Sequence, residues 1–120
     1  MYANAQFSSE TSSPAKTLIR SGSPITRKVT LVAGVLYAAG SVLGTVTADG
    51  KAKLSAAASS DGSQTPDVVL PYAVDTRDGE KQAVVYERAD LIGDQLVLGA
   101  GHTLTSIREG LRLKSITFSI

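Results

Sequence analysis

Read for the spacing of its apolar positions, the chain divides into a polar leader and a body written in short alternating runs. Residues 1 to 24 are dominated by Ser, Ala and Thr, with Ser8-Ser9-Glu10-Thr11-Ser12-Ser13-Pro14 and then Ser21-Gly22-Ser23-Pro24. Such a stretch has little to bury and many competing local hydrogen bonds, so it predicts a flexible N-terminal arm over residues 1–24. Within it, Thr17-Leu18-Ile19 is apolar and β-compatible, and Arg20 sets a charge beside it. These four residues are the candidate docking segment of the arm. From Ile25 to Ile120 the text reads as strands and turns. Val29 and Leu31 open it, and Val42-Leu43-Gly44-Thr45-Val46-Thr47 follows, rich in β-branched residues.

Asp49-Gly50 between two β-compatible runs predicts a hairpin, because glycine tolerates the positive φ of tight turns. If Thr47 pairs with Ala52, then Leu43, Thr45, Ala52 and Leu54 share one face and Lys53 takes the other. Residues 55 to 66 form a long polar loop, of the kind that is usually functional, mobile or ordered by a partner subunit. Strands resume at Val68-Val69-Leu70, and Pro71, which cannot donate to a ladder, marks an edge, a bulge or a break before Tyr72-Ala73-Val74. After a turn over Asp75 to Glu80, Ala83-Val84-Val85-Tyr86 is apolar on both faces, which predicts a central strand; a further short strand is expected over Gln95 to Leu98. Leu104, Ile107 and Leu111 recur at helical spacing, with Thr105 or Ser106 as a cap and Gly110 limiting the length. Ile116, Phe118 and Ile120 alternate with polar residues as a half-buried final strand. The fold class is all-β with one short helix: a small sandwich or barrel-like body, residues 25–120, behind the arm.

Composition narrows this. A chain of 120 residues has room for one ordinary core. With six aromatic residues and no Trp that core is thin, which favours burial through self-association. The absence of cysteine removes disulfides, thiolate metal sites and a cysteine nucleophile together. Net charge is +1, but residues 1 to 28 hold Lys16, Arg20, Arg27 and Lys28 against Glu10, leaving the remainder acidic. This modest basic arm lacks the dense Lys/Arg run with interleaved aromatics of a nucleic-acid tail. No apolar run reaches the ~20 residues that span a bilayer. Met1 to Thr11 lacks the basic start and apolar stretch of a signal peptide, so synthesis and assembly in a cytoplasm are expected.

Candidate chemistry is sparse. The single histidine, His102, lies in Gly99-Ala100-Gly101-His102-Thr103 without a second metal-ligating spacing, and is expected to be a local structural residue where the helix begins. Gly99-Ala100-Gly101 lacks the third glycine of a dinucleotide fingerprint and the Gly-Lys-Ser/Thr ending of a P-loop. Asp75, Asp78 and Glu80 cluster in sequence without the ordered pattern of a calcium loop, and are expected to be a solvated turn. A hairpin bearing Lys51 admits one alternative, a lipoyl- or biotinyl-type carrier domain with Lys51 as acceptor. Against it, Gly50 precedes Lys51 where such carriers present Asp-Lys or Met-Lys.

Gly40-Ser41-Val42-Leu43-Gly44 with Gly50-Lys51, Ser60-Asp61-Gly62-Ser63-Gln64-Thr65-Pro66 leading into Val68-Val69-Leu70 and Val74-Asp75, then Gly99-Ala100-Gly101-His102-Thr103-Leu104 and Arg108-Glu109-Gly110-Leu111-Arg112, follow one another over the whole body. In that order and spacing the chain resembles the bacteriophage head decoration protein family, the group that includes the lambdoid capsid-stabilising protein. It departs from the family's pattern at Ala39, where a basic residue often stands, at Ala52, where an aromatic does, and at Ser115, where a glycine does. The resemblance implies a homotrimer of small β-rich subunits on the virion, bound to the major capsid (coat) protein on the exterior of the head around three-fold and quasi-three-fold positions. It implies no cofactor and no catalysis, and with the charge, apolar runs and lone histidine read above, no metal and no nucleic-acid, membrane or small-molecule partner is expected. The capsid-binding candidates are then Thr17, Leu18, Ile19 and Arg20.

Overall fold

The computed structural model describes residues 18–119. Eight strands and one helix follow in chain order: β1 Ile19–Leu31, β2 Leu36–Tyr37, β3 Val42–Thr45, β4 Ala52–Leu54, β5 Pro66–Val69, β6 Val74–Asp75, β7 Lys81–Ile92, α1 Leu104–Leu113 and β8 Ile116–Ser119. The main sheet runs β1-β4-β3-β5-β7-β8, and a direct β1–β7 pairing joins its first strand to its fifth, closing a small barrel. β2 and β6 form a separate antiparallel pair. The expected all-β body with one short helix is the fold found.

Alternation sorts side chains into two cores. Leu31, Leu43, Ala52, Val68, Ala83 and Val85 form one buried cluster with Tyr37 and Leu70. Val42, Val69, Ala89, Leu91, Ile116 and Phe118 form the other, with Ile107 and Leu111 of α1 laid over it. Adjacent residues of β3 and β5 therefore belong to different cores, which is why Val42-Leu43 and Val68-Val69 are apolar without interruption. β7 is central as expected, since β1, β5 and β8 all pair with it. Its apolar run is nevertheless not buried on both faces: Val84 is 45% exposed between buried Ala83 and Val85.

Several local expectations are corrected. The strand begins at Ile19, so residues 19–24 belong to the body rather than to an arm ending at residue 24. Ser21-Gly22-Ser23-Pro24 is a bulge inside β1: the register steps from Ser21↔Asp90 to Ile25↔Arg88. A bulge accepts turn-forming residues while main-chain pairing with β7 continues on either side, so loop-like composition does not end the strand. The β3–β4 register is Thr45↔Ala52 rather than Thr47↔Ala52. Val46 N–H donates to the Lys51 carbonyl and the turn spans residues 47–50. A slip of two residues keeps parity, so Leu43 still shares its face with Leu54. β5 stops before Pro71, making that proline a strand break.

Gln95 to Leu98 is a 3₁₀ turn over Gly93–Gln95 followed by a single parallel bridge from Val97 to Ser41. The helix cap is Thr103, ahead of both Thr105 and Ser106. Its hydroxyl accepts from Ser106 N–H at 3.1 Å and Ser106 Oγ accepts from Thr103 N–H at 2.8 Å. Gly110 does not shorten α1, which runs through it to Leu113.

Residues 55–66 are ordered by the chain's own contacts. Ser55 N–H donates to Val42 O, Ala57 N–H to Ala100 O, and Thr47 N–H to Asp61 O. The loop approaches the sheet closely at Gly44, where a Cβ would stand 2.0 Å from the Ser63 carbonyl oxygen. Only glycine lets the loop lie on the sheet there. Asp67 ties the helix end to the barrel. It accepts from Thr45 Oγ1 at 2.8 Å and pairs with Arg27 at 3.1 Å and Lys114 at 3.2 Å. Burial pushes its carboxyl up, but the Thr45 hydroxyl and the two cations outweigh this and hold it below its ordinary value.

After α1 the chain reverses through Ser115, whose φ of 68° is the single positive value at a non-glycine position among the described residues. The left-handed region strains a side chain carrying Cβ, which is the physical sense of the glycine the family pattern has there. Ser115→Gly is expected to raise stability by about 0.5–1 kcal/mol, read as an upward shift in the thermal midpoint with unchanged secondary structure.

Candidate functional site

The docking tetrad is largely absorbed into the body. Thr17 lies outside the described residues. Leu18 is 1% exposed and packs in the cluster beneath α1, and its carbonyl accepts from Ile92 N–H at 2.7 Å. Ile19 is half-buried opposite Leu91. Arg20 donates from Nη2 to Asp90 Oδ1 at 2.7 Å and from Nε to both carboxylate oxygens at 3.1 Å. Ser21 Oγ and Thr117 Oγ1 complete the shell at 2.6 and 2.9 Å, and these bonds hold the Asp90 carboxyl down to about 2. The segment's described apolar residues, Leu18 and Ile19, thus anchor β1.

His102 sits where the sequence placed it, at the start of α1. Its Nε2 is 3.1 Å from Ser55 Oγ and 3.1 Å from the Gln64 carbonyl oxygen. A carbonyl only accepts, so the Gln64 contact calls for a proton on Nε2, whereas the Ser55 hydroxyl can donate or accept. The two contacts make His102 a clamp between loop 55–66 and the helix start. Gly99 serves the same packing. A Cβ there would lie 1.9 Å from the Ser55 carbonyl oxygen, so Gly99-Ala100-Gly101 fits loop against helix rather than cradling an anion. His102→Ala removes both contacts. It is expected to destabilise by about 1–2 kcal/mol, seen as a lowered denaturation midpoint.

The remaining polar candidates are tied to separate partners. Lys51 Nζ, just after the β3–β4 turn, pairs with Glu80 at 2.7 Å, and that hydrogen bond raises its pKa. Asp75 holds Arg77 at 2.9 Å and Asp78 holds Lys81 at 3.3 Å. With Glu80 on Lys51, the three acids of this turn neutralise three different cations, and among the described residues no group of three His, Asp or Glu converges as metal ligands would.

The surface adds features that spacing alone did not identify. Val35, Leu36 and Tyr72 are 40–56% exposed around the β2–β6 pair and the turn before it. A cavity of about 300 Å³ lined by Val32, Val35, Tyr37, Lys53 and Leu54 opens beside them. On the barrel wall, Val84 stands opposite Lys28 and next to Tyr86 on the same face. The one trace of this in the sequence is the uninterrupted apolar run at Ala83-Val84-Val85-Tyr86, of which Val84 is left exposed among the described residues. This surface suits contact with protein.

In comparisons with known proteins, residues 8–112 match the family described as bacteriophage lambda head decoration protein D. No curated protein matches the sequence. The match takes in the clamp at His102, the loop laid on Gly44 and nearly all of the barrel. By this match over most of its length, the chain belongs to the bacteriophage lambda head decoration protein D family.

Proposed function

We propose that this chain is a structural virion protein that binds, as a homotrimer, the major capsid protein on the exterior of the expanded phage head at three-fold and quasi-three-fold positions, and stabilises the shell. The family match over residues 8–112 carries this reading. Exposed Val35, Leu36, Tyr72 and Val84 on a thin-cored body give self-association and coat contact apolar surface to cover. A ligand of the assembled shell stabilises it by mass action, because the shell must release the ligand before it comes apart. Three linked subunits then hold through contacts that are individually weak.

In this reading the chain is made in the host cytoplasm and works without cofactor, nucleic acid or membrane. Residues before Leu18 supply an added strand to a coat-protein sheet edge, with Thr17, Leu18, Ile19 and Arg20 as the junction that fixes where they leave the body. Sedimentation of the free protein, then co-sedimentation of full-length and residue 1–17-deleted protein with undecorated expanded capsids, tests this. A trimer whose deletion variant stays trimeric and loses most capsid binding is expected. A stable monomer, or equal binding by both forms, contradicts it.

A further inference from the structure

β8 is the last strand of the main sheet. It pairs in parallel with β7, and no described strand pairs with its other edge. A cavity of about 250 Å³ lies against it, lined by Arg20 of β1, Arg108 and Arg112 of α1, and Thr117 and Phe118 of β8. Consecutive residues of a strand point to opposite faces, so a cavity that touches both Thr117 and Phe118 follows the strand's edge. Arg20 reaches it from the open face and the two helix arginines from the covered one.

Three guanidinium groups meet two carboxylates here. Arg20 is held by Asp90 and Arg112 by Glu109, whereas Arg108 has no ion pair or hydrogen bond among the described residues. Arg108 and Arg112 stand four apart on one helix face, where like charges repel. Charge alone would guard a sheet edge against unwanted pairing. A guard needs neither a cavity nor convergence on it, and both are present. Guanidinium forks match carboxylates bidentately, and an open edge offers main-chain groups to an extended chain.

We propose that the free edge of β8 with Arg20, Arg108 and Arg112 is a docking site for an extended acidic segment of a protein partner. The segment pairs its main chain along Ile116–Ser119 and sets a carboxylate on Arg108. This site stands on the local geometry and is independent of the capsid reading.

The test is a titration of the isotopically labelled full chain, followed by NMR, with a synthetic peptide of alternating Glu and Val. The same peptide with Lys for Glu, and inorganic phosphate, serve as comparisons. Expected are shifts of the amides of residues 116–119 and of the Arg108 Nε–H on adding the Glu peptide only. Arg108→Ala, exposed and unpaired, should keep the remaining spectrum and weaken binding about tenfold, with Arg108→Lys between the two. Shifts centred elsewhere, equal binding by the Lys peptide, or an undiminished affinity in Arg108→Ala would overturn the proposal. So would phosphate occupying the arginines while the Glu peptide fails to bind, since that is a site for a small anion alone.

Discussion

Replacing Leu18 with alanine is expected to destabilise the body by about 3 kcal/mol, within the range of buried leucine truncations. The side chain is 1% exposed and touches the cluster that joins β7, β8 and α1, so its removal leaves a cavity walled by strands and helix that cannot all close upon it. Ile19→Ser, at a half-buried position, should cost less. A denaturant titration of both variants by circular dichroism reads the difference. If Leu18→Ala denatured like the unaltered protein, Leu18 would not be part of this core, and its place in a detachable docking segment would return. The same ranking bears on capsid assays. A double Leu18/Ile19 substitution weakens the body as well as any coat contact, and the cut that isolates the arm falls before Leu18.

The sequence made the body legible wherever alternation or helical spacing was regular. β8, α1 and the central place of β7 could each be read from a few residues, because each depends on the burial of one element, whereas Pro71 could be read only as an edge, a bulge or a break. The arm's boundary could not. Ser21-Gly22-Ser23-Pro24 reads as loop by composition, and only the pairing of β1 with β7 across some seventy residues shows it to be a bulge. The hairpin register failed for a related reason. Asp49-Gly50 locates a turn, but Thr47 is drawn off the ladder by Asp61, a contact with a loop that local pattern says nothing about. At the surface, His102 was correctly placed at the helix start, while its partners Ser55 and Gln64 had no signal. The exposed apolar positions at Val35, Leu36 and Tyr72 were equally silent, because an outward apolar residue looks the same in sequence as an inward one.

A second large effect is expected at Gly44. Alanine there sets a Cβ 2.0 Å from the Ser63 carbonyl oxygen and within 2.7 Å of its Cα, all backbone atoms that no rotamer change can move. Loop 55–66 must lift from the sheet, releasing buried Ser63 and straining the Asp61–Lys53 pair, formed at 2.9 Å. A loss of about 3 kcal/mol follows, at the upper end of overpacking penalties. Hydrogen exchange should show amides of residues 57–64 opening while β7 and β8 remain protected. Full protection of the loop in Gly44→Ala would mean that it does not lie on β3 as described. Since this loop is also where His102 is clamped, Gly44→Ala and His102→Ala should combine less than additively, as both release one unit.

The central claim is that the folded chain is a capsid ligand, and its most direct measurement is electron cryomicroscopy of expanded, undecorated phage heads before and after adding the purified protein. New protrusions of trimer size are expected on the outer surface at the three-fold and quasi-three-fold positions, saturating as protein is added, with a shell that then withstands conditions under which bare heads rupture. Heads that stay bare at saturating protein, or protein found inside the shell or scattered over it without regard to symmetry, would contradict it.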